Sequence, residues 1–354
     1  IKNLAQHTFD LTRGPLFCAQ LIRLPASTRN LGRHILTLVM HHIIADGWSV
    51  EVLMNELGQL WAAYTSDRSD PLPALPLQYA DVALWQQQWL GSKGLTHQID
   101  YWKQQLAGAP SLLPLPTDYP RPAKQSFRGA DFSFRIDAQT VNALRDLGQA
   151  RGATLFMTLM TAYTILLSRY TQQSDICVGF PISGRQYAEM APLIGLFVNN
   201  LVIRSDLTDN PTVAELISSI RHTTLEAFGH QDVPFDMLVD ALKLERSLSH
   251  TPLLQVSFAL QSKTFEQQVS EMLGSNVALL DTGWVAAKYD LNLTCFEKDD
   301  GSLDAVVEYA TDLYQVDTIE RMTAHWRLLL QLMIENPQQH VNHLPILSVE
   351  ERQQ

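Results

Sequence analysis

The feature that most constrains this 354-residue chain is a nine-residue run, His41 to Ser49 (HHIIADGWS), which places two imidazoles and a carboxylate between two regular elements. Before it, residues 34–40 (HILTLVM) are apolar and β-branched without a helical period, which predicts a strand. After it, apolar residues recur at helical spacing from Val50 to Tyr64, with Ser49 as a suitable helix N-cap. The run therefore predicts a strand-to-helix turn that presents polar side chains on a rigid scaffold.

Composition limits the class of protein. A hydrophobic content of 46% and a charged content of 18% are ordinary for a soluble globular protein. No apolar run approaches the ~20 residues of a membrane-spanning helix, so we expect no membrane association. The net charge of −11 argues against a nucleic-acid partner. Three isolated cysteines favour reduced thiols in a cytoplasmic protein over disulfides or a metal site.

Beyond the turn, strand and helix patterns alternate, which predicts an α/β fold. The chain is long enough for two domains. Residues 109–122 contain five prolines and should be extended, so we place a boundary there. The last long helix is predicted over residues 316–335, because Asn336 and Pro337 end it.

The run from His41 to Ser49 resembles the His-His-x-x-x-Asp-Gly signature of condensation domains in nonribosomal peptide synthetases. Three further stretches resemble that family in the same order: residues 79–81 (Tyr-Ala-Asp), 194–199 (Ile-Gly-Leu-Phe-Val-Asn) and 231–235 (Gln-Asp-Val-Pro-Phe). Together with the signature they make the resemblance strong. Family motifs that normally precede residue 9 are missing, so we expect an excised piece of something longer.

The resemblance implies two chloramphenicol-acetyltransferase-like α/β sandwich subdomains, the first incomplete, with an active-site tunnel between them. We assign residues 1–120 to the first subdomain, 121–342 to the second, and 343–354 to the start of a linker into a following adenylation domain. The implied reaction joins a carrier-bound acyl or peptidyl thioester to the amine of a carrier-bound aminoacyl thioester. Carrier domains on both sides would present these phosphopantetheine thioesters, so the domain itself would bind no cofactor.

The resemblance assigns the catalytic role to the second histidine of the signature, which is His42. An imidazole with a pKa near ~6.5 can accept a proton from the attacking amine or hold the amine in place. Both roles remain open. Successive strand residues point to opposite faces, so His41 should provide support instead. Gly47 completes the signature.

Asp46 could pair with a histidine, but we favour a structural salt bridge, which is what the family implies. Arg246 is the candidate partner. The remaining tunnel or structural candidates are Trp48, Ser49, Asn199, Gln231 and Asp232. For Asn199, satisfying backbone groups in a turn is at least as plausible as contacting a substrate.

The sequence allows four other interpretations. A metal site is disfavoured because adjacent strand histidines diverge and no Cys or Glu cluster supplies more ligands. A nucleophilic role for Ser49 is disfavoured because the residue lacks the Gly-x-Ser-x-Gly motif of a nucleophile elbow. An epimerisation domain is disfavoured by Trp48 and Ser49, where that branch usually reads Gly-Val-Ser-Trp, and by the adenylation-like tail. A catalytically silent platform that recruits tailoring enzymes or carriers is the alternative from another functional class.

Overall fold

The computed structural model describes residues 7–25, 33–91, 93–262, 267, 269, 272–273, 277–280, 285–347 and 351. The chain divides into two compact units. Unit 1 comprises Ile1–Gln88, Ser183–Val198 and Phe265–Trp284, and unit 2 comprises Trp89–Ile182, Asn199–Thr264 and Val285–Gln354. Each unit is therefore assembled from separate stretches of sequence.

Unit 1 carries the strand-to-helix turn. Strands β1 (Phe17–Arg23) and β2 (His34–Met40) form an antiparallel hairpin, and β2 has the predicted bounds. Helix α1 (Gly47–Thr65) follows the turn, and α2 (Tyr79–Leu90) begins in this unit. The predicted apolar face of α1 is only partly covered, since Met54 is buried whereas Trp61 and Tyr64 are exposed.

In the part of unit 2 that the structure describes, seven strands form one mixed sheet. Its strands are β3 (Arg128–Ile136), β4 (Asp175–Ile182), β5 (Asn199–Asp206), β6 (Val256–Gln261), β7 (Val285–Ala286), β8 (Leu291–Glu297) and β9 (Leu303–Ala310). The strand order is β5-β4-β6-β8-β9-β3-β7. The pairs β4–β6 and β6–β8 are parallel and the other pairs are antiparallel. The hairpin β8–β9 turns at Gly301, where a φ of +79° favours glycine.

The helices of unit 2 cover this sheet. They are α3 (Lys93–Gln105), α4 (Ala138–Gln149), α5 (Leu155–Thr171), α6 (Val213–Gly229), α7 (Phe235–Ala241) and α8 (Val316–Glu335). Nearly every residue of α5 is buried, because α4, α6, α8 and the strands β4 and β6 all pack against it. A helix that is apolar on all sides belongs inside a domain, and α5 is the centre of the core.

The compact units differ from the predicted boundary near residue 120, since residues 89–120 belong to unit 2. In α3, Trp102 is 1% exposed and its Nε1–H donates to the carbonyl of His230 at 2.8 Å. Arg204 donates from Nη1 to the carbonyl of Gln105 at 3.0 Å. These contacts bind α3 to unit 2, so the proline-rich stretch follows an element that is already packed there.

The predicted linker, residues 343–354, lies partly outside the described residues. Leu344 is buried among the core side chains of unit 2. Nε2 of His325, in α8, lies 3.0 Å from Oε1 of Glu351. The described part of this tail therefore packs on unit 2.

No helix within the described ranges has both the length and the apolar character needed to cross a bilayer.

Candidate active site

The turn between β2 and α1 is a single 3₁₀ turn, His42–Ile44, with His41 as its N-cap. The backbone N–H of His41 donates to the carbonyl of Leu16 at 2.9 Å, and its Nδ1 accepts the N–H of Ile43 at 3.1 Å. Because Nδ1 accepts, the neutral ring carries its proton on Nε2. The ring also meets Phe9 edge-on, with centroids 6.3 Å apart. In this arrangement His41 supports the turn.

His42 is exposed and is the first residue of the 3₁₀ turn. The prediction that the two histidines have different roles rested on the alternation of side chains along a strand. Strand β2, however, ends at Met40, so it is the 3₁₀ turn that places His41 and His42 in different environments. An exposed imidazole on a backbone held by its neighbour can exchange a proton with a bound molecule.

Asp46 begins helix α1. It is the N-cap, and its Oδ1 accepts the backbone N–H of Ser49 at 2.8 Å. The prediction that Ser49 is the N-cap is wrong, because α1 begins at Gly47 and Ser49 is its third residue. A carboxylate fits this position because it satisfies an orphan N–H of the first helical turn.

The Asp46 carboxylate accepts further hydrogen bonds from elsewhere in unit 1. Its Oδ1 lies 2.7 Å from Ser49 Oγ and 3.1 Å from Nη2 of Arg185. Its Oδ2 accepts the backbone N–H groups of Phe197 and Val198 at 2.9 and 3.1 Å. Burial acts to raise the pKa of Asp46, but these hydrogen bonds and the Arg185 charge outweigh it, so the pKa lies below its ordinary value.

The salt-bridge partner of Asp46 is therefore Arg185, and the prediction of Arg246 is wrong. The side chains of Asp46 and Arg185 are 3% and 2% exposed. Arg246 instead contacts Asp240 at 2.7 Å, where both side chains are mostly exposed. Arg246 therefore contributes to a surface ion pair, a type that is generally weak.

Arg185 is held in place by its own contacts. Its Nη1 donates to the carbonyls of Met190 and Leu193 at 2.7 and 3.0 Å. Its guanidinium carbon lies 3.9 Å from the centre of the Phe197 ring. Arg185 lies just after β4, where Gly184 has a φ of +65° and turns the chain, and no residue pattern in the sequence marks it as the partner of Asp46.

Trp48 and Gly47 lie at the exposed start of α1. The Nε1–H of Trp48 donates to the carbonyl of Ala191 at 2.9 Å, and 44% of the residue is exposed. A Cβ at Gly47 would meet no atom of the described residues within 4 Å. The fold of the described residues therefore does not require glycine at position 47.

Gly195 is the opposite case. A Cβ there would lie 2.0 Å from the ring of Tyr79, whose hydroxyl donates to the carbonyl of Leu196 at 3.0 Å. We predict that Gly195→Ala lowers the free energy of unfolding by about 1–3 kcal/mol through overpacking. The matched control, Gly47→Ala, should melt close to the wild-type temperature when thermal unfolding is followed by circular dichroism. Equal melting temperatures for the two variants would contradict the close packing.

Asn199, in unit 2, organises the loop that precedes α7. Its Nδ2 donates to the carbonyls of Gln231 and Val233 at 3.1 and 2.7 Å, and its Oδ1 accepts the N–H of Phe235 at 3.0 Å. These contacts match the first of the two predicted roles, satisfaction of backbone groups. Contact of Asn199 with a substrate stays a prediction.

Asp232 lies in the same loop and is paired with Gln98 of α3. Gln98 Nε2 donates to Asp232 Oδ2 at 2.6 Å, and the backbone N–H of Asp232 donates to Gln98 Oε1 at 3.0 Å. The Val-Asn and Gln-Asp-x-Pro-Phe stretches, which are separate in sequence, are thus parts of one hydrogen-bonded structure.

Replacing Asn199 by Leu should leave the carbonyls of Gln231 and Val233 without this donor. We expect the free energy of unfolding to fall by about 2 kcal/mol, since each buried polar group that loses its partner costs ~1–3 kcal/mol. Urea denaturation measures the change. Asn200→Ala is the control, because among the described residues its side chain accepts one long hydrogen bond, from the Tyr289 hydroxyl at 3.4 Å. If Asn200→Ala lost more unfolding free energy than Asn199→Leu, the assignment of Asn199 as the residue that organises this loop would be overturned.

The part of the chain that the structure describes holds no group of three or more His, Cys, Asp or Glu residues placed to bind a metal ion.

The family model described as Condensation domain matches residues 1–354. The chain belongs to the condensation-domain family. Among curated relatives, one of the linear gramicidin synthase subunits of Brevibacillus parabrevis is 44% identical over 348 residues, which are 98% of this condensation domain and 7% of the relative. Across three such gramicidin synthase proteins, the match spans 4 to 7% of the relative's length.

Solved structures agree with this assignment. The X-domain in a complex with OxyB from teicoplanin biosynthesis matches with a TM-score of 0.87 and 28% identity, covering 98% of this chain and 77% of that one. A four-domain nonribosomal peptide synthetase bound to AMP and glycine matches with a TM-score of 0.80 and 22% identity, covering 97% and 26%. At that identity the second match shows the fold alone.

The comparisons confirm two predictions, the family and the α/β fold class. The fold is that of condensation domains, which is chloramphenicol-acetyltransferase-like. Condensation domains of nonribosomal peptide synthetases catalyse peptide-bond formation, an acyltransferase-type activity.

Proposed function

We propose that this condensation domain joins a carrier-bound acyl or peptidyl thioester to the amine of a carrier-bound aminoacyl thioester, with His42 at the reacting centre. The observation that carries the proposal is the position of His42. It is exposed at the start of a 3₁₀ turn that His41 caps, and the carboxylate two residues beyond that turn is held by a buried ion pair.

The proposed reaction asks little of the protein beyond positioning and proton transfer. The amine nitrogen attacks the thioester carbonyl carbon, and the carbon–sulfur bond breaks. The nitrogen loses one proton and the departing thiolate gains one, so the step balances without an added reagent. Two roles for the imidazole satisfy this balance: it relays the proton, or it accepts a hydrogen bond that aims the amine.

The proposed partners are carrier domains upstream and downstream and an adenylation domain that follows in the same protein. The carriers would bring their own phosphopantetheine arms, and this domain would supply residues but no cofactor of its own. The short share of each curated relative that the chain covers supports a multidomain setting. We place this assembly in the cytoplasm.

A second candidate is a platform that recruits a tailoring enzyme without forming a bond. It is favoured by the structural likeness to an X-domain that was solved in a complex with OxyB. The presence of both histidines favours the enzyme.

The decisive experiment uses the full-length protein. Donor and acceptor carriers are loaded with thioesters, mixed with the protein, and the acceptor carrier is examined by mass spectrometry. We expect the donor acyl group on the acceptor amine. An inverted stereocentre without a new amide would indicate epimerisation. Unchanged thioesters on both carriers would favour the platform.

A further inference from the structure

Ser49 is the centre of a hydrogen-bonded cluster within unit 1. The residue is 0% exposed. Its Oγ lies 2.7 Å from Asp46 Oδ1, 2.8 Å from Arg185 Nη2, and 2.7 and 3.0 Å from the carbonyl oxygen and amide nitrogen of Gly195. One hydroxyl thus touches the start of α1, the residues after β4 and the Gly195 segment.

The valences of this hydroxyl are fully used. Its oxygen accepts from the Arg185 guanidinium and from the N–H of Gly195, which occupies both lone pairs. Its single proton lies between two acceptors, Asp46 Oδ1 and the Gly195 carbonyl. A buried hydroxyl with every valence engaged is unsuited to act as a nucleophile, so its role is to hold other groups.

The groups it holds adjoin His42. Asp46 lies two residues beyond the 3₁₀ turn, and the Ser49 hydroxyl and backbone N–H both donate to its Oδ1. The other carboxylate oxygen of Asp46, Oδ2, accepts the backbone N–H groups of Phe197 and Val198. Ser49 and Asp46 together therefore attach the segment 195–198 to the helix start at four backbone groups.

We propose that Ser49 is a positioning residue: by bridging Asp46, Arg185 and Gly195 it fixes the backbone that presents His42. This inference rests on the proposed function of His42. Without the hydroxyl, Asp46 keeps its capping bond to the backbone of residue 49, so α1 still forms. The two Gly195 groups lose their partner, and the turn loses its attachment to segment 195–198.

The test compares Ser49→Ala with Ser168→Ala in the full-length protein. Ser168 is a matched control, because its Oγ donates to the carbonyl of Gln173 at 2.6 Å in unit 2. The readouts are kcat and KM for the loaded acceptor carrier, the melting temperature, and hydrogen exchange of peptides that cover residues 42–46 and 193–198.

We expect both variants to melt at a lower temperature than the wild type. Of the two variants, we expect a lower kcat in Ser49→Ala and not in Ser168→Ala. The loss should reach about 100-fold if the His42 imidazole moves by about 1 Å, with KM within about twofold of wild type. Both peptides should exchange faster in Ser49→Ala and be unchanged in Ser168→Ala. Ser49→Cys, which keeps a weak donor, should lie between Ser49→Ala and wild type and carries the test if Ser49→Ala fails to fold.

A wild-type kcat in a folded Ser49→Ala protein would overturn the positioning role, as would a kcat loss no larger than that of Ser168→Ala. If the wild type forms no amide, the proposed function fails. Hydrogen exchange then tests the positioning role of Ser49 separately. Faster exchange of residues 42–46 in Ser49→Ala supports that role, and unchanged exchange rejects it.

Discussion

Replacing Asp46 by Asn should lower the free energy of unfolding by about 3–5 kcal/mol, because Arg185 is then left charged and buried without its partner. The two side chains are 3% and 2% exposed, so water cannot compensate for the lost carboxylate. The carboxylate accepts hydrogen bonds from Arg185, Phe197 and Val198. In the asparagine variant an NH₂ group replaces one of its two oxygens, so a donor would face these donors. Urea denaturation of the purified protein measures the change.

A double-mutant cycle with Arg185→Met tests whether the pair is responsible. The double variant should be less destabilised than the sum of the two single variants, since neither charge is then left alone. Arg246→Gln is the control, because it removes an arginine from an exposed pair with Asp240 and should barely alter the melting temperature. Additive single effects, or a large effect at Arg246, would show that the stabilising partner has been misassigned.

Acid should weaken the domain through Asp46. The folded-state pKa of Asp46 lies below the unfolded value of ~3.9, so the ionised carboxylate stabilises the fold fully above that value. The contribution is lost as pH falls through the lowered folded-state pKa. The difference in unfolding free energy between wild type and Asp46→Asn should therefore be constant from about pH 7 to 5 and shrink below about pH 4. A constant difference down to about pH 3 would contradict this origin.

His42→Ala should reduce amide formation by about 10²–10⁴-fold, the usual contribution of a positioned acid–base group. The fold should survive, because the side chain is exposed and the turn is held by the backbone and by His41. The assay follows product on the acceptor carrier, with circular dichroism to confirm the fold. Wild-type rates from a folded variant would reject the assignment.

Two companion variants separate the roles of the histidines. His41→Ala removes the acceptor of the Ile43 N–H, so it should lower the melting temperature before it affects chemistry. A stable, inactive His41→Ala beside an active His42→Ala would mean that the roles are reversed. His42→Gln can accept a hydrogen bond but cannot relay a proton, so substantial activity in it indicates positioning, and a loss equal to that of His42→Ala indicates proton transfer.

Local patterns in the sequence determined most of the secondary structure. Strand β2 and helix α8 have the predicted bounds, because an apolar, β-branched run and the Asn336–Pro337 stop both act over short range. The His41–Ser49 signature, read with the later stretches, likewise determined the family.

Only the tertiary structure decided which groups meet. The Asp46–Arg185 contact spans 139 residues, and nothing in residue type or spacing separated Arg185 from Arg246 as a partner. The N-cap is Asp46 and not Ser49 because the helix begins at Gly47, three residues before the first residue of its apolar pattern, Val50. The hydroxyl of Ser49 was then available to bind Gly195, 146 residues away. Short-range patterns determine which element forms, whereas a buried polar partner is selected by the packing of distant segments, where each donor must find an acceptor.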